Sequence, residues 1–327
     1  MSEFANSSPI LSWQQPVWEM LTQRFPDVGH GLLFYGKQGC GKDRFVQQFL
    51  AWVLCQNKMP KSACGQCGSC LWLKSDTHPN YVRISTDDDA KKSQSKIKIE
   101  QIRELLPFVQ QTVEGWRVIV IEPADALNVA SANALLKTLE EPGERVMIIL
   151  VTSHFLKLPA TIRSRVQRYA LDRLTHQDAI EYVQQHLPES HPEKIQLLLN
   201  LSNQMPLQAI VLNEQEWLNK RAEFLADWQD LVMQKRLPMS YATKWHKALN
   251  FDDLMMMFEY LLSDLICVKL KQVIKNIDLD FTVLADVYAL ETLFQIAEHV
   301  QQSKVMQRQN VQTQLMLDQL FVQLMDA

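Results

Sequence analysis

The stretch GLLFYGKQGCGKDRFVQQFL, Gly31 to Leu50, decides how the rest of the chain is read. A short apolar run breaks at Gly36 into a loop holding Gly36, Gly39 and Gly41, and a helical pattern opens at Lys42. Gly36, Gly41 and Lys42 occupy the fixed positions of the phosphate-loop pattern, whose last position calls for a Ser or Thr hydroxyl. That position is Asp43. A strand, a glycine-rich loop and a helix in this order let backbone N–H groups and the helix N-terminus face phosphate. A hydroxyl would serve magnesium, whereas Asp43 adds a carboxylate beside a polyanion; at ~4 Å such a charge pair interacts by roughly 4 kcal/mol at an effective dielectric of ~20. An aspartate in the first helical turn also makes ordinary structural sense, because acids are favoured there.

Outward from this loop, the front of the chain alternates strands and helices. GLLFYG (31–36), VIVIE (118–122) and VMIILVT (146–152) are short continuous apolar runs, the mark of buried parallel strands. NYVRIS and VQRYAL are weaker strand candidates. Helical patterns fill 43–55, 99–111 and 128–141, the last stopped by Pro142-Gly143. This alternation predicts a doubly wound α/β domain. All nine glycines lie at or before Gly143, and the 184 residues after it contain none, which argues for helices joined by short polar loops. Phe251, Leu254, Met255, Phe258, Leu261, Leu262 and Leu265 follow helical spacing, and similar patterning recurs in 284–300 and 311–325. Met255-Met256-Met257 reads as core filler on one helix face rather than a pliable binding surface. DDDAKKSQSKIK (87–98) reads as a polar, mobile surface loop.

Composition narrows the function classes. At 327 residues and a net charge of −4, the chain has a large core and no overall basic character. Its start, MSEFANSSPILSWQQ, lacks a basic region followed by an apolar one, so no secretory signal is expected. No apolar run approaches a bilayer span, and a cytoplasmic location is expected. Six cysteines include Cys55, Cys64, Cys67 and Cys70, spaced C-x8-C-x2-C-x2-C. Four thiolates satisfy tetrahedral zinc and leave no open position, so the expected site is structural. The competing readings are a buried Cys55 with three incidental cysteines, or a redox pair. Cys40 and Cys267 lack partners in sequence and read as buried small residues.

Two further positions bear on catalysis. ATPases of this build usually end the second core strand with Asp-Glu, one acid for magnesium and one for water. Here Glu122 is followed by Pro123, and Asp125 falls two residues late. Thr152-Ser153 closes the third apolar strand, where a polar sensor residue would sit, with little left to sense.

HGLLFYGKQGCGKD, the Cys55–Cys70 module, IKIEQIREL (97–105), ANALLKTLEEP (132–142) and LPATIRSRVQRYAL (158–171) together resemble the bacterial DNA polymerase III clamp-loader subunits of the AAA+ superfamily. The resemblance covers most of residues 10–172. It implies an AAA+ α/β domain at 1–172 with a zinc module at 55–70, a helical lid at 173–214 and a helical collar for ring assembly at 215–327. Motor subunits of that family, gamma and tau, keep the loop hydroxyl, the Asp-Glu pair and a lid arginine. This lid reads NQMPLQAIVL, with Leu207 and Gln208 where that arginine would fall. The three departures resemble the non-hydrolysing, delta-prime type, which offers an arginine finger to a neighbour's ATP. The family's Ser-Arg-Cys motif maps onto Ser164-Arg165-Val166, which implies that Arg165 is the finger, with Arg163 the neighbouring candidate. The resemblance also implies gamma/tau and delta subunits as partners in a hetero-pentameric ring, and a sliding clamp and primed DNA met through the assembled complex. Whether ATP or ADP still enters the loop at Gly36, Gly39, Gly41 and Lys42 stays open. Two alternatives remain: an active ATPase in which Asp43 ligates magnesium, and a zinc-dependent DNA-binding module.

Overall fold

A computed structural model describes residues 9–86, 96–110, 114–234, 237–309 and 311–325. Most of the 87–98 loop lies outside the described residues. The chain divides into two compact units, one running to Ala179 and the other from Ile180 onward.

In the first unit, α1 (Gln15–Arg24) precedes β1 (Gly31–Tyr35), the phosphate-type loop and α2 (Lys42–Leu54). Then come α3 (Gly68–Lys74), β2 (Tyr81–Ile84), α4 (Ile99–Arg103), α5 (Leu105–Gln110) and β3 (Arg117–Ile121). The unit continues through α6 (Val129–Glu140), β4 (Val146–Thr152), α7 (Ala160–Arg163) and β5 (Gln167–Ala170). The five strands form one parallel sheet in the order β2-β3-β4-β1-β5. Both weaker strand candidates are therefore real strands, one at each edge. Every residue of β3 and β4 is buried, which is why these strands are apolar throughout rather than alternating.

One expected helix is interrupted. The 99–111 pattern divides at Glu104 into α4 and α5, because Pro107 sits in the first turn of α5 and has no N–H to continue the α4 ladder. The N-cap of α6 is Asn128, whose side chain accepts the Ser131 N–H at 2.8 Å.

The helix α8 (His176–His186) leads to α9 (Pro192–Leu201) and α10 (Pro206–Asn213). The long helices follow: α11 (Glu216–Gln234), α12 (Pro238–Ala248), α13 (Phe251–Lys269), α14 (Thr282–Val287), α15 (Leu290–Arg308) and α16 (Thr313–Gln323). The 284–300 pattern is thus two helices, parted at Tyr288-Ala289, where the backbone turns extended. Within the second unit, Phe224, Trp228, Trp245, Phe258 and Phe321 form one aromatic cluster with ring centroids 4.6–6.2 Å apart. Met255 and Met257 are fully buried and only Met256 is exposed, in keeping with core filling. Asp264, fully buried, accepts the Lys275 and Asn276 backbone N–H groups at 2.9 and 2.6 Å, and Asn276 in turn takes the buried Arg221 guanidinium. Tyr260 stacks on Trp217 and donates to the Leu201 carbonyl at 3.1 Å, joining α9 to the long helices.

Candidate functional site: a phosphate-type loop, an arginine segment and a thiol cage

The loop after β1 has the backbone that its glycines allow. Gly39 and Gly41 sit at φ 81° and 90°, the left-handed region that glycine tolerates best. At Gly36 a side chain would be tight, since a Cβ would lie 3.0 Å from Cys40 Sγ and 3.1 Å from Asp172. The loop is engaged with its own surroundings. Lys42 Nζ is buried and donates to the Lys37 carbonyl at 3.1 Å, and the Lys37 N–H donates to Asp172 Oδ2 at 3.0 Å. Trp13 Nε1 and Gln14 Nε2 both donate to the Cys40 carbonyl, at 3.0 and 2.9 Å. Cys40 is fully buried as expected, and burial pushes its thiol up to about 11. Cys267, by contrast, is only half-buried near the end of α13.

Where a loop hydroxyl and a strand-end acid would share magnesium, two carboxyl groups meet. Glu122, just past β3, neighbours Asp43 and pairs with Arg83 at 3.0 Å. Burial, then the adjoining Asp43, raises Glu122 to about 8, against the opposing pull of Arg83 and Lys42. Glu122 thus holds its proton to higher pH than an exposed glutamate does. A folded value above the unfolded one stabilises the fold fully at low pH, and this contribution is lost as pH rises through about 8. Glu122→Gln should therefore raise the thermal midpoint more at pH 8.5 than at pH 5; an equal shift at both values would refute the raised Glu122.

Asp125, two residues past the place of a second strand-end acid, contacts the end of β4. Thr152 Oγ1 donates to Asp125 Oδ1 at 2.5 Å, and His154 Nδ1 lies 3.1 Å from Asp125 Oδ2. The His154 N–H donates to Thr152 Oγ1 at 2.9 Å. The polar end of β4 thus reads the turn after β3. Sequence spacing hid this contact because it judged Asp125 by distance along the chain from the strand end.

The arginine segment lies on α7 and the turn into β5. Arg165 is exposed; its Nε and Nη2 both reach Glu140 Oε1 at 2.7 Å, and Nη1 donates to the Thr161 carbonyl at 3.0 Å. With side-chain exposures of 37% and 50%, this ion pair is worth about 0–1 kcal/mol. Arg163 is turned elsewhere, its guanidinium 5.1 Å from the Phe155 ring centroid.

The four clustered cysteines converge. Their sulfurs all lie within 4.8 Å of one another, and the Cys55–Cys67 and Cys64–Cys70 pairs are 4.0 Å apart. Tetrahedral ligation with Zn–S near 2.3 Å needs sulfur separations of ~3.8 Å, so the cage fits that ion. The Cys64 and Cys67 N–H groups each donate to a preceding cysteine sulfur at 3.3 Å. Burial pushes Cys67 up, but N–H groups of Cys70 and Gln56 outweigh it and bring the thiol down to about 6. N–H groups of Gln66 and Cys67 lower Cys64, while burial raises Cys55 and Cys70. The cage is braced from outside: Lys58 Nζ lies 2.8 Å from the Cys55 carbonyl, and the Trp52 and Trp18 indole N–H groups donate to the carbonyls of Met59 and Pro60 at 2.7 and 3.4 Å. Asn80 N–H donates to His78 Nδ1, which leaves His78 Nε2 to donate to Ser69; Ser69 donates to the Leu54 carbonyl beside Cys55. Four cysteines within reach of a single ion could hold a metal.

A parallel sheet in this order, a loop of phosphate-binding type altered at its magnesium position, and a four-thiol insert make up an α/β domain of phosphate-loop type. A family model described as DNA polymerase III, delta subunit, matches residues 13–175. The DNA polymerase III subunit delta' of Pseudomonas aeruginosa is 33% identical over 241 residues, covering 73% of this chain and 72% of the relative. The subunit delta' of Haemophilus influenzae is 28% identical over 235 residues, 70% of this chain and 69% of the relative. The DNA polymerase III subunit tau of Bacillus subtilis is 33% identical over 148 residues, 45% of this chain and 25% of the relative. The chain belongs to the DNA polymerase III delta-prime subunit family.

Proposed function

We propose that this chain is a non-hydrolysing clamp-loader subunit that supports ATP-dependent loading of a sliding clamp onto primed DNA, and lends Arg165 to the ATP site of a neighbouring subunit. The observation that carries the first half is that Asp43 stands in place of the loop hydroxyl with Glu122 as its neighbour. It puts acid against acid where an ATPase of this build holds magnesium between a hydroxyl and a carboxylate. Lys42, turned back onto the Lys37 carbonyl, adds to the case, and α10 carries Leu207 and Gln208 but no arginine. Gly36, Gly39 and Gly41 then serve as scaffold that keeps the loop's shape.

Arg165 fits the second half because its guanidinium is exposed and its partner is weak. A triphosphate presented by a neighbour can take the place of Glu140, and the guanidinium then stabilises charge developing on the transferred γ-phosphoryl group. Cys55, Cys64, Cys67 and Cys70 would hold a structural zinc, which when bound closes the insert between α2 and α3. The division into a domain at 1–172, a lid at 173–214 and a collar at 215–327 belongs to the same proposal, with gamma/tau and delta type subunits completing a cytoplasmic five-membered ring. Among the described residues no helix is long and apolar enough to cross a membrane.

The test is paired. Nucleotide binding and hydrolysis are measured on the chain alone and then in complexes reconstituted with gamma/tau and delta type subunits. The expected result is no turnover alone and ATP-driven clamp loading that depends on the chain in the complex. Turnover by the chain alone that disappears in Lys42→Ala would establish the active-ATPase reading instead.

A further inference from the structure

The turn that follows β4 presents one aromatic ring to three elements at once. Phe155 is half-buried and packs against the core cluster that includes Leu158, Ile162 and Val166. One partner is Tyr35, the last residue of β1 before the phosphate-type loop, with ring centroids 4.7 Å apart. The others are cations: the Arg163 guanidinium carbon is 5.1 Å from the Phe155 centroid and that of Arg168 is 5.8 Å from it. Arg168 Nε also donates to the Arg163 carbonyl at 3.2 Å, and the buried Arg163 Nε has no hydrogen-bond acceptor among the described residues. Three guanidinium groups thus crowd a segment of six residues, 163–168. Two are assigned to the face of one ring, and the third, Arg165, is left to the exposed Glu140.

We propose that Phe155 is the positioning residue for Arg165. Its π face holds Arg163 and Arg168 by cation–π attraction and so sets the orientation of α7 and of the turn after it. Without that face, the two flanking guanidinium groups compete with Arg165 for Glu140 and for an incoming phosphate, and the backbone at 163–165 loses its anchor to β1. Because Phe155 follows His154 directly, the ring also links the Asp125–Thr152–His154 contact at the end of β4 to the arginine segment. This inference rests on the reading of Arg165 as a finger acting in trans.

The experiment compares Phe155→Leu, Phe155→Tyr and Arg165→Ala in the reconstituted complex, with kcat, the KM for ATP and assembly read for each. Leucine keeps apolar bulk but removes the π face; tyrosine keeps the face. We expect Phe155→Leu to lower kcat at the neighbouring site by about tenfold, with KM and assembly unchanged, and Phe155→Tyr to stay within about twofold of the native chain. Native kcat in Phe155→Leu, while Arg165→Ala is impaired, overturns the role of Phe155 and leaves the finger intact. Equal losses in the leucine and tyrosine variants, or a leucine variant that fails to assemble, make Phe155 a packing residue and likewise overturn it. Native turnover in an assembled Arg165→Ala complex overturns the finger reading itself, and this inference with it.

Discussion

Arg165→Ala is expected to lower ATP turnover at the neighbouring subunit's site by roughly a thousandfold, the usual order for removing an arginine finger. Assembly of the complex should be unaffected, because the Arg165–Glu140 pair is exposed and contributes little to the fold. The effect is best read in complexes whose other ATP sites are disabled, so that their turnover does not mask the loss. Arg165→Lys should recover only part of the rate, since an ammonium is a point charge and cannot match the planar fork of a guanidinium. Glu140→Gln provides the complementary arm: it releases the guanidinium without removing it, and turnover should stay within about twofold of native. An assembled Arg165→Ala complex with unchanged turnover would sink the finger assignment.

The second large effect concerns the thiol cage. Chain purified without chelator should carry one zinc, and Cys67→Ser should lower zinc affinity by more than the roughly 100-fold that outer-shell changes alone can cost. Retention should fall as pH drops, because protons compete with the metal for thiolates. Metal loss should also alter tryptophan fluorescence, since Trp18 and Trp52 donate to carbonyls at 59 and 60, within the loop that the ligands tie down. Substantially less than one zinc in unchelated protein would count against the site.

Much of the front unit was open to reading from sequence, for a physical reason. A buried parallel strand shows itself as a continuous apolar run, and a glycine loop before a helix is punctuation that few other structures need. The three central strands could be found this way; the two edge strands, YVRI and QRYA, carry polar residues and show only as weaker candidates. Helix ends were harder: Pro107 and the Tyr288-Ala289 junction each break a helix whose apolar spacing runs on across the gap, because periodicity records burial rather than hydrogen bonding.

The candidate site divides along a similar line. Gly36, Gly39, Gly41, Lys42 and the four cysteines are set by spacing within one short segment, so their pattern survives in the sequence. Trp13, Gln14 and Asp172 hold the same loop from distant parts of the chain, and no local signal marks them. The contact of Asp125 with Thr152 and His154 is likewise long-range, made because the turn after β3 brings it against the end of β4.

By itself, then, the sequence determined the strand–loop–helix frame, the altered magnesium position at Asp43, the absence of a second acid after Glu122 and the four-thiol insert. Each is a matter of residue type at short range, where chain geometry leaves little freedom. Only the tertiary structure decided that Glu122 stands beside Asp43, that Arg165 rests on Glu140, and that Phe155 collects Arg163 and Arg168. Arg165 and the end of α6 lie beside Gly31 at the N-terminal end of β1, whereas the strand order sets β4 between β1 and β3 and gathers their C-terminal ends at the other end of the sheet. Side chains far apart in the chain meet there, and their protonation and orientation follow from burial and neighbouring charge.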